Sequence, residues 1–229
     1  MHSDALWAHA HWLPCRSSTQ GGWEHLEGLE EEWDLGIDEA GRGPVLGPMV
    51  YGAAFCQSKR EQDLKELGVA DSKTLTEEKR DLLFEKIKGC DFLGWFVTVM
   101  SAKELSGGML QRNPYNLNAQ SHDTAIALIK RGLAIGLNLK RVFVDTVGDP
   151  QRYEDKLSAL FPSIQFAVRK KADSLFPTVS AASICAKVVR DRILAQWVSP
   201  RPPCPEAEEV RAGSRGTARL LRRTAPRRG

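Results

Sequence analysis

Hydrophobic and polar positions recur with two periods along residues 34–197, and these periods predict strands and helices. Short apolar runs, some with strict alternation such as Ile164, Phe166 and Val168, predict strands. The predicted strands cover residues 35–38, 49–56, 92–100, 141–145 and 164–168. Apolar residues at helical spacing predict helices over residues 76–88, 121–137, 150–160 and 178–197.

The order of these elements predicts an α/β fold with a mixed sheet. No long helix separates the first two predicted strands, whereas the later strands alternate with helices. In the last helix, Ala182, Ala186, Val189, Ile193 and Trp197 recur every three or four residues, which indicates one buried face. Thr74 and Glu77 have the spacing of a capping box before the first predicted helix.

Composition narrows the class of protein. The chain has 229 residues, of which 42% are hydrophobic and 27% charged, which is typical of one globular domain with a substantial core. No apolar run is long enough to predict a transmembrane helix. The five cysteines form no CxxC pair, which favours free thiols in a reducing compartment over a disulfide framework or a zinc site.

Charge and composition divide the chain into three predicted segments. Residues 1–33 are predicted to be a weakly ordered leader, and residues 34–197 the folded domain. Residues 198–229 are rich in Pro and Arg and carry a net charge of +5, so a disordered tail is expected. The net charge of the whole chain is only +3, so the tail accounts for all of its excess positive charge. Overall basicity therefore gives no support for nucleic-acid binding.

Four carboxylates follow or end apolar runs: Asp38, Glu39, Asp145 and Asp173. Each could be a helix cap or a turn residue, but charged groups directly after buried strands are costly unless paired or bound to a metal. Neighbours such as Asp38 and Glu39 point to opposite faces of a strand, so both reach one site only if the strand ends there. Oxygen ligands suit Mg²⁺ or Mn²⁺, and such clusters can hold a phosphodiester between two metals.

Ordered sequence blocks resemble the type 2 ribonuclease H (RNase HII) family, in its archaeal and eukaryotic branch and particularly the eukaryotic catalytic subunit. The most specific block is GIDEAGRGP at residues 36–44. The others are ADSKTL at 70–75, YNLN at 115–118 with SHD at 121–123, VFVDTVG at 142–148, KAD at 171–173, and VSAASICAK at 179–187 with Arg190 and Asp191.

The resemblance implies a ribonuclease H-like fold and metal-dependent endonucleolytic cleavage of RNA in RNA–DNA hybrids, with 5′-phosphate products. Single ribonucleotides embedded in duplex DNA would also be cleaved. It implies that two Mg²⁺ or Mn²⁺ ions are held by Asp38, Glu39, Asp145 and Asp173. Substrate would be contacted by Gly41, Arg42, Gly43, Ser72, Lys73 and Arg190, although Ser72 and Lys73 also suit an ordinary helix cap. His122 is interpreted as structural.

The resemblance ends near Trp197. Members of the family continue there with helical sequence and a Gly-Ser-Gly-Tyr-Pro type motif, whose Tyr supports the sugar at the ribo–deoxyribo junction. An altered or truncated C-terminal part predicts weaker junction selectivity. The alternative hypothesis is a catalytically poor isoform that binds hybrid or partner subunits without turnover. The family also implies two accessory subunits, docked partly through the missing segment, and a nuclear location, for which the sequence carries no clear signal.

Overall fold

A mixed sheet of six strands organises the computed structural model, which describes residues 18–43, 47–69, 75–146 and 148–196. The strands are β1 (Ser18–Gly22), β2 (Glu32–Ala40), β3 (Met49–Gln57), β4 (Leu93–Met100), β5 (Asn138–Asp145) and β6 (Gln165–Arg169), in the spatial order β1-β4-β3-β2-β5-β6. The first four pair antiparallel, whereas β2, β5 and β6 pair parallel. The predicted mixed α/β architecture is therefore confirmed.

Six α-helices connect and cover the described part of the sheet. They are α1 (Glu61–Glu66), α2 (Glu77–Lys88), α3 (Ala102–Met109), α4 (Leu117–Ala134), α5 (Pro150–Leu160) and α6 (Pro177–Ala195). The short helices α1 and α3 were not predicted, because six or eight residues carry too little periodicity.

Side-chain caps decide where two helices begin. Helix α2 is capped by Thr76, whose hydroxyl accepts a hydrogen bond from the Lys79 amide. The cap predicted at Thr74 falls outside the described residues. Helix α4 begins at Leu117, earlier than predicted, because the Asn116 side chain accepts from the Ala119 amide. Its first turn mixes Leu117 and Ala119 with the polar Asn118 and Gln120, and this mixture gave too weak a periodic signal to detect.

Helix α6 packs directly on the middle of the sheet, and two glycines permit the close approach. A Cβ on Gly36 of β2 would lie 2.2 Å from the Thr178 carbonyl carbon. A Cβ on Gly52 of β3 would lie 2.3 Å from the Ala182 carbonyl oxygen. The predicted apolar face of α6 is buried, from Ala182 to Ile193. Helices α2 and α6 cover one core cluster, and α4 and α5 cover another on the opposite face.

The predicted leader over residues 1–33 differs from the structure in its second half. Residues Ser18–Gly22 form β1 at the edge of the sheet and pair with β4. Trp33 is fully buried at the start of β2, and its indole N–H donates to the Gly28 carbonyl at 3.1 Å. Residues 1–17 and the tail predicted over 198–229 lie outside the described residues.

Candidate active site

A cleft of about 540 Å³ opens at the carboxyl ends of β2 and β5. These strands are parallel neighbours, with Ile37 paired to Val144, so the carboxylates that follow these residues meet at one edge. Three of the predicted carboxylates line the cleft, together with four cationic side chains. The lining side chains include Asp38, Glu39, Asp145, Arg42, Arg80, Lys187 and Arg190.

Asp38 and Glu39 reach this cleft from opposite faces of β2. Asp38 is buried on the face covered by α6, where the Ser183 hydroxyl hydrogen-bonds it. Glu39 lies opposite Tyr51 of β3, on the face that α4 covers. Strand β2 ends one residue later, at Ala40, and both side chains line the cleft beyond it. The backbone amide of Glu39 also donates to Asp38 Oδ1 at 2.8 Å.

A short turn after β6 contains Asp173 and contacts Asp145. Asp145 ends β5, and its Oδ1 accepts a hydrogen bond of 2.8 Å from the Ala172 amide. Lys171 has a left-handed backbone with φ of 58°, which bends the chain into the turn Ala172–Ser174. Asp173 is buried in that turn, 2% exposed, next to the Ala172 amide that bonds Asp145. Three of the four carboxylates line the cleft, and the fourth is buried in the adjoining turn.

Electrostatics among these carboxylates fit a divalent cation. Burial raises the pKa of Asp38 well above its usual range, and the negative charges of Glu39 and Asp145 raise it further. Converging carboxylate oxygens are the donor set that Mg²⁺ and Mn²⁺ prefer. Within the described ranges, no three His, Cys, Asp or Glu side chains are close enough together to form a metal-binding group. Asp38, Glu39 and Asp145 therefore line one cleft without forming a complete ligand cage.

The glycine-rich turn after β2 is held from two sides. Gly41 and Gly43 have φ of 87° and 115°, which favour glycine. A Cβ on Gly41 would lie 2.3 Å from Arg190 Nε and 2.5 Å from the Pro48 carbonyl, whereas a Cβ on Gly43 would meet no atom within 4 Å. Gly41 is therefore required by packing, and Gly43 faces open space in the described structure.

Arg42 turns toward α4 rather than into bulk solvent. Its guanidinium donates to Ser121 Oγ at 2.8 Å and to Asn118 Oδ1. The YNLN and SHD blocks carried these two residues, but sequence alone gave them no role. Their function is evident only once α4 places them beside the turn.

Arg190 holds the turn from the other side. Its Nε donates to the Pro48 carbonyl at 3.2 Å, while its side chain also lines the cleft. Arg80 of α2 lines the same cleft and donates to Asp191 Oδ2 at 3.2 Å. Lys187 and Arg80 were not among the predicted site residues. The predicted contacts Ser72 and Lys73 lie outside the described residues.

The family model for ribonuclease HII matches residues 35–200, which is most of the chain. The chain therefore belongs to the ribonuclease HII family. It is 55% identical over 177 residues to the A subunit of ribonuclease H2 from Arabidopsis thaliana, covering 75% of this chain and 60% of that relative. It is also 55% identical over 163 residues to the A subunit of ribonuclease H2 from Homo sapiens, covering 71% and 54%.

Solved structures agree with this assignment. Ribonuclease HII of Archaeoglobus fulgidus, determined in a complex with PCNA, matches with a TM-score of 0.62 and 29% identity over 81% of this chain and 88% of that one. Bst-RNase HIII in complex with Mn²⁺ matches with a TM-score of 0.58 and 26% identity over 72% and 54%. The chain spans less than two thirds of the length of the plant and human relatives.

The described residues contain no helix of the length and apolarity that a membrane crossing requires. Cys56, Cys90 and Cys185 are free thiols.

Proposed function

We propose that this chain is an endoribonuclease that hydrolyses RNA in RNA–DNA hybrids. The observation that carries the proposal is the cleft at the ends of β2 and β5, where Asp38, Glu39 and Asp145 face a surrounding set of arginines and a lysine. Carboxylates that bind metal and cations that contact phosphate are the two groups that phosphodiester hydrolysis needs. Membership of the ribonuclease HII family supports the same reaction.

The four carboxylates Asp38, Glu39, Asp145 and Asp173 would hold two divalent ions, Mg²⁺ or Mn²⁺. When bound, such ions activate water for attack on phosphorus and stabilise the leaving oxygen, which gives a 5′-phosphate product. The Mn²⁺ complex of the similar ribonuclease HIII supports dependence on a divalent metal. In this chain, the Ala172 amide orients Asp145, and the Ser183 hydroxyl orients Asp38.

Residues 41–43 would contact the ribonucleotide, including a single ribonucleotide within duplex DNA. The position at Gly43 leaves open space in which a sugar can approach the backbone closely. The 2′-hydroxyl is the group that distinguishes RNA from DNA at such a site. Asn118 and Ser121 fix the Arg42 guanidinium, so its orientation is set before substrate binds.

Arg80, Lys187 and Arg190 would contact the phosphates on either side of the cleaved bond. All three line the cleft, and guanidinium and ammonium groups bind phosphate strongly. Arg190 has a second role, because it also holds the turn at Pro48. Ser72 and Lys73 remain proposed phosphate contacts.

The proposed partners are the hybrid substrate and two accessory subunits, and the proposed location is the nucleus. The similar plant and human proteins are each named as one subunit of ribonuclease H2, which supports a complex of several subunits. Co-purification of this chain with candidate subunits, and imaging of a fluorescent fusion, test these two points.

Cleavage of two substrates tests the proposed activity. The purified full chain is incubated with Mg²⁺ or Mn²⁺ and either a long RNA–DNA hybrid or a DNA duplex containing one ribonucleotide. We expect metal-dependent cleavage of the hybrid, 5′-phosphate ends, and loss of cleavage in Asp145→Asn. Hybrid binding without turnover in the wild-type chain would instead support the isoform that only binds. Cleavage of the hybrid alone would refute action at single ribonucleotides.

A further inference from the structure

A small polar cavity lies beside the carboxylates, on the side of the sheet that α4 and α5 cover. Its volume is about 20 Å³. A cavity of this size holds one water molecule, provided that several polar groups face it. Its polar lining includes Glu39, Arg42, Tyr51, Ser121, His122 and Tyr153.

Tyr153 contributes a buried hydroxyl that the fold itself does not satisfy. The side chain, on the first turn of α5, is only 4% exposed, and its hydroxyl is fully buried. Among the described residues, this hydroxyl has no hydrogen-bond partner. Buried hydroxyls are almost always paired, because burial removes the hydrogen bonds that water would otherwise make with them. A phenylalanine would fill the same volume without that penalty.

The ring of Tyr153 is fixed in place, so its hydroxyl has a defined direction. It stacks on His122 of α4, with ring centroids 3.7 Å apart and an interplanar angle of 8°. This contact agrees with the structural interpretation of His122. Because the stack depends only on the ring, it does not explain the hydroxyl.

Among the carboxylates, Glu39 has the largest electrostatic effect on this hydroxyl. Burial raises the pKa of Tyr153, and the negative charge of Glu39 is the next largest cause. The same two causes raise the pKa of Tyr51, which pairs with Glu39 across β2 and β3 and hydrogen-bonds Ser121. Tyr51, Tyr153 and Glu39 all line the same cavity, so two phenols lie beside one carboxylate, and phenols can donate hydrogen bonds to carboxylates directly or through water.

We propose that the cavity binds a single water molecule, held by the Tyr153 hydroxyl, that positions the Glu39 carboxylate for metal binding. This inference rests on the proposed function, because it assigns Glu39 as a metal ligand. Tyr153 is a positioning residue, since it acts on the metal through Glu39. Hydrogen bonds that orient a ligating carboxylate commonly change metal affinity by about 10–100-fold.

The experiment measures Mn²⁺ binding without substrate, by the loss of the free-ion paramagnetic resonance signal, in the full-length wild type and Tyr153→Phe. We expect the Kd for Mn²⁺ to rise by about tenfold in Tyr153→Phe. The midpoint of thermal unfolding should stay the same or rise, because phenylalanine keeps the ring and its stack on His122. A purely structural hydroxyl would instead lower that midpoint and leave Mn²⁺ binding unchanged.

Tyr115→Phe is the matched control. The Tyr115 hydroxyl donates to Asp123, and its side chain, 39% exposed, lines neither the cavity nor the cleft. We expect the wild-type Kd for Mn²⁺ in this variant. An unchanged Kd in Tyr153→Phe, or an equal rise in Tyr115→Phe, would overturn the proposal. A wild-type chain that binds Mn²⁺ but cleaves no hybrid would refute the proposed function, and the comparison of variants would still decide this inference.

Discussion

Asp34 and Asp38 lie four residues apart on β2, on the same face of the strand, and both carboxylates are almost fully buried. Asp34 accepts hydrogen bonds from the Arg141 guanidinium, at 2.9 Å to Nε, and from the Ser58 hydroxyl at 3.0 Å. The neighbours that act on Asp38 are two carboxylates, the Ser183 hydroxyl and the Glu39 backbone amide, and none of them carries a positive charge. One end of the strand thus holds an ion pair, and the other gathers negative charge.

The difference separates a carboxylate whose charge the fold neutralises from one that we propose binds metal. A buried charge is stable when the fold supplies its counter-charge, as Arg141 does for Asp34. At Asp38, the neighbouring charges Glu39 and Asp145 increase the free energy of the ionised form. A divalent cation bound in the cleft would offset that repulsion. The comparison predicts opposite consequences for the same substitution at the two positions.

Asp38→Asn should have the largest effect on catalysis. We expect the rate of hybrid cleavage to fall by about 10³-fold, since several kcal/mol of transition-state stabilisation by metal depends on this ligand. Stability should be unchanged or higher, because a neutral amide removes the repulsion from Glu39 and Asp145. Cleavage assays and urea unfolding measure the two effects. A variant that unfolds more easily than the wild type would contradict the account of Asp38.

Asp34→Asn should have the reverse pattern. The free energy of unfolding should fall by about 1–3 kcal/mol, because the charge-assisted hydrogen bonds to Arg141 are weakened. Since the Arg141 side chain is 39% exposed, solvent screening keeps the loss at the lower end of this range. Cleavage per folded molecule should match the wild type. If this variant lost activity as Asp38→Asn does, the distinction between the two ends of β2 would fail.

Alanine at the two glycines of the turn should lower stability by different amounts. Both positions have a left-handed backbone, which costs an alanine about 1–2 kcal/mol. Gly41→Ala should lower stability more than Gly43→Ala, since only its Cβ would contact Arg190 and the Pro48 carbonyl. Thermal unfolding of both variants measures the difference. Equal losses would show that packing against Arg190 does not constrain the turn.

Strands with strong apolar patterns were predicted from sequence, and a strand without one was not. Strand β3 reads almost entirely apolar and is buried on both faces, so its prediction needed no tertiary information. Strand β1 contains Ser18, Thr19 and two glycines. It forms because β4 offers an unpaired edge, and a Cβ on Gly21 would lie 2.5 Å from the Trp95 carbonyl oxygen. No local signal encodes that pairing.

The site, too, was predicted only in part from the sequence. Asp38, Glu39 and Asp145 follow apolar runs within specific motifs, and the structure brings all three to one cleft. Asp173 was predicted for the same site, and it is buried in the turn that contacts Asp145, so its role there stays a prediction. Among the supporting residues, Ser183 lies in the VSAASICAK block but received no role from it, and Tyr153 has no distinctive local pattern. Their roles depend on which helix crosses which strand.

The sequence by itself determined the mixed α/β class, five of the six described strands and the identity of the carboxylates, because apolar periodicity and short motifs are local properties. Tertiary structure alone decided which buried carboxylate receives a counter-charge. Asp34 and Asp38 have similar surroundings in sequence, each beside apolar residues on one strand. Arg141 comes from β5 and Ser183 from α6, more than a hundred residues away in sequence. Electrostatic partners are set by distance in space, and the folded sheet fixes that distance.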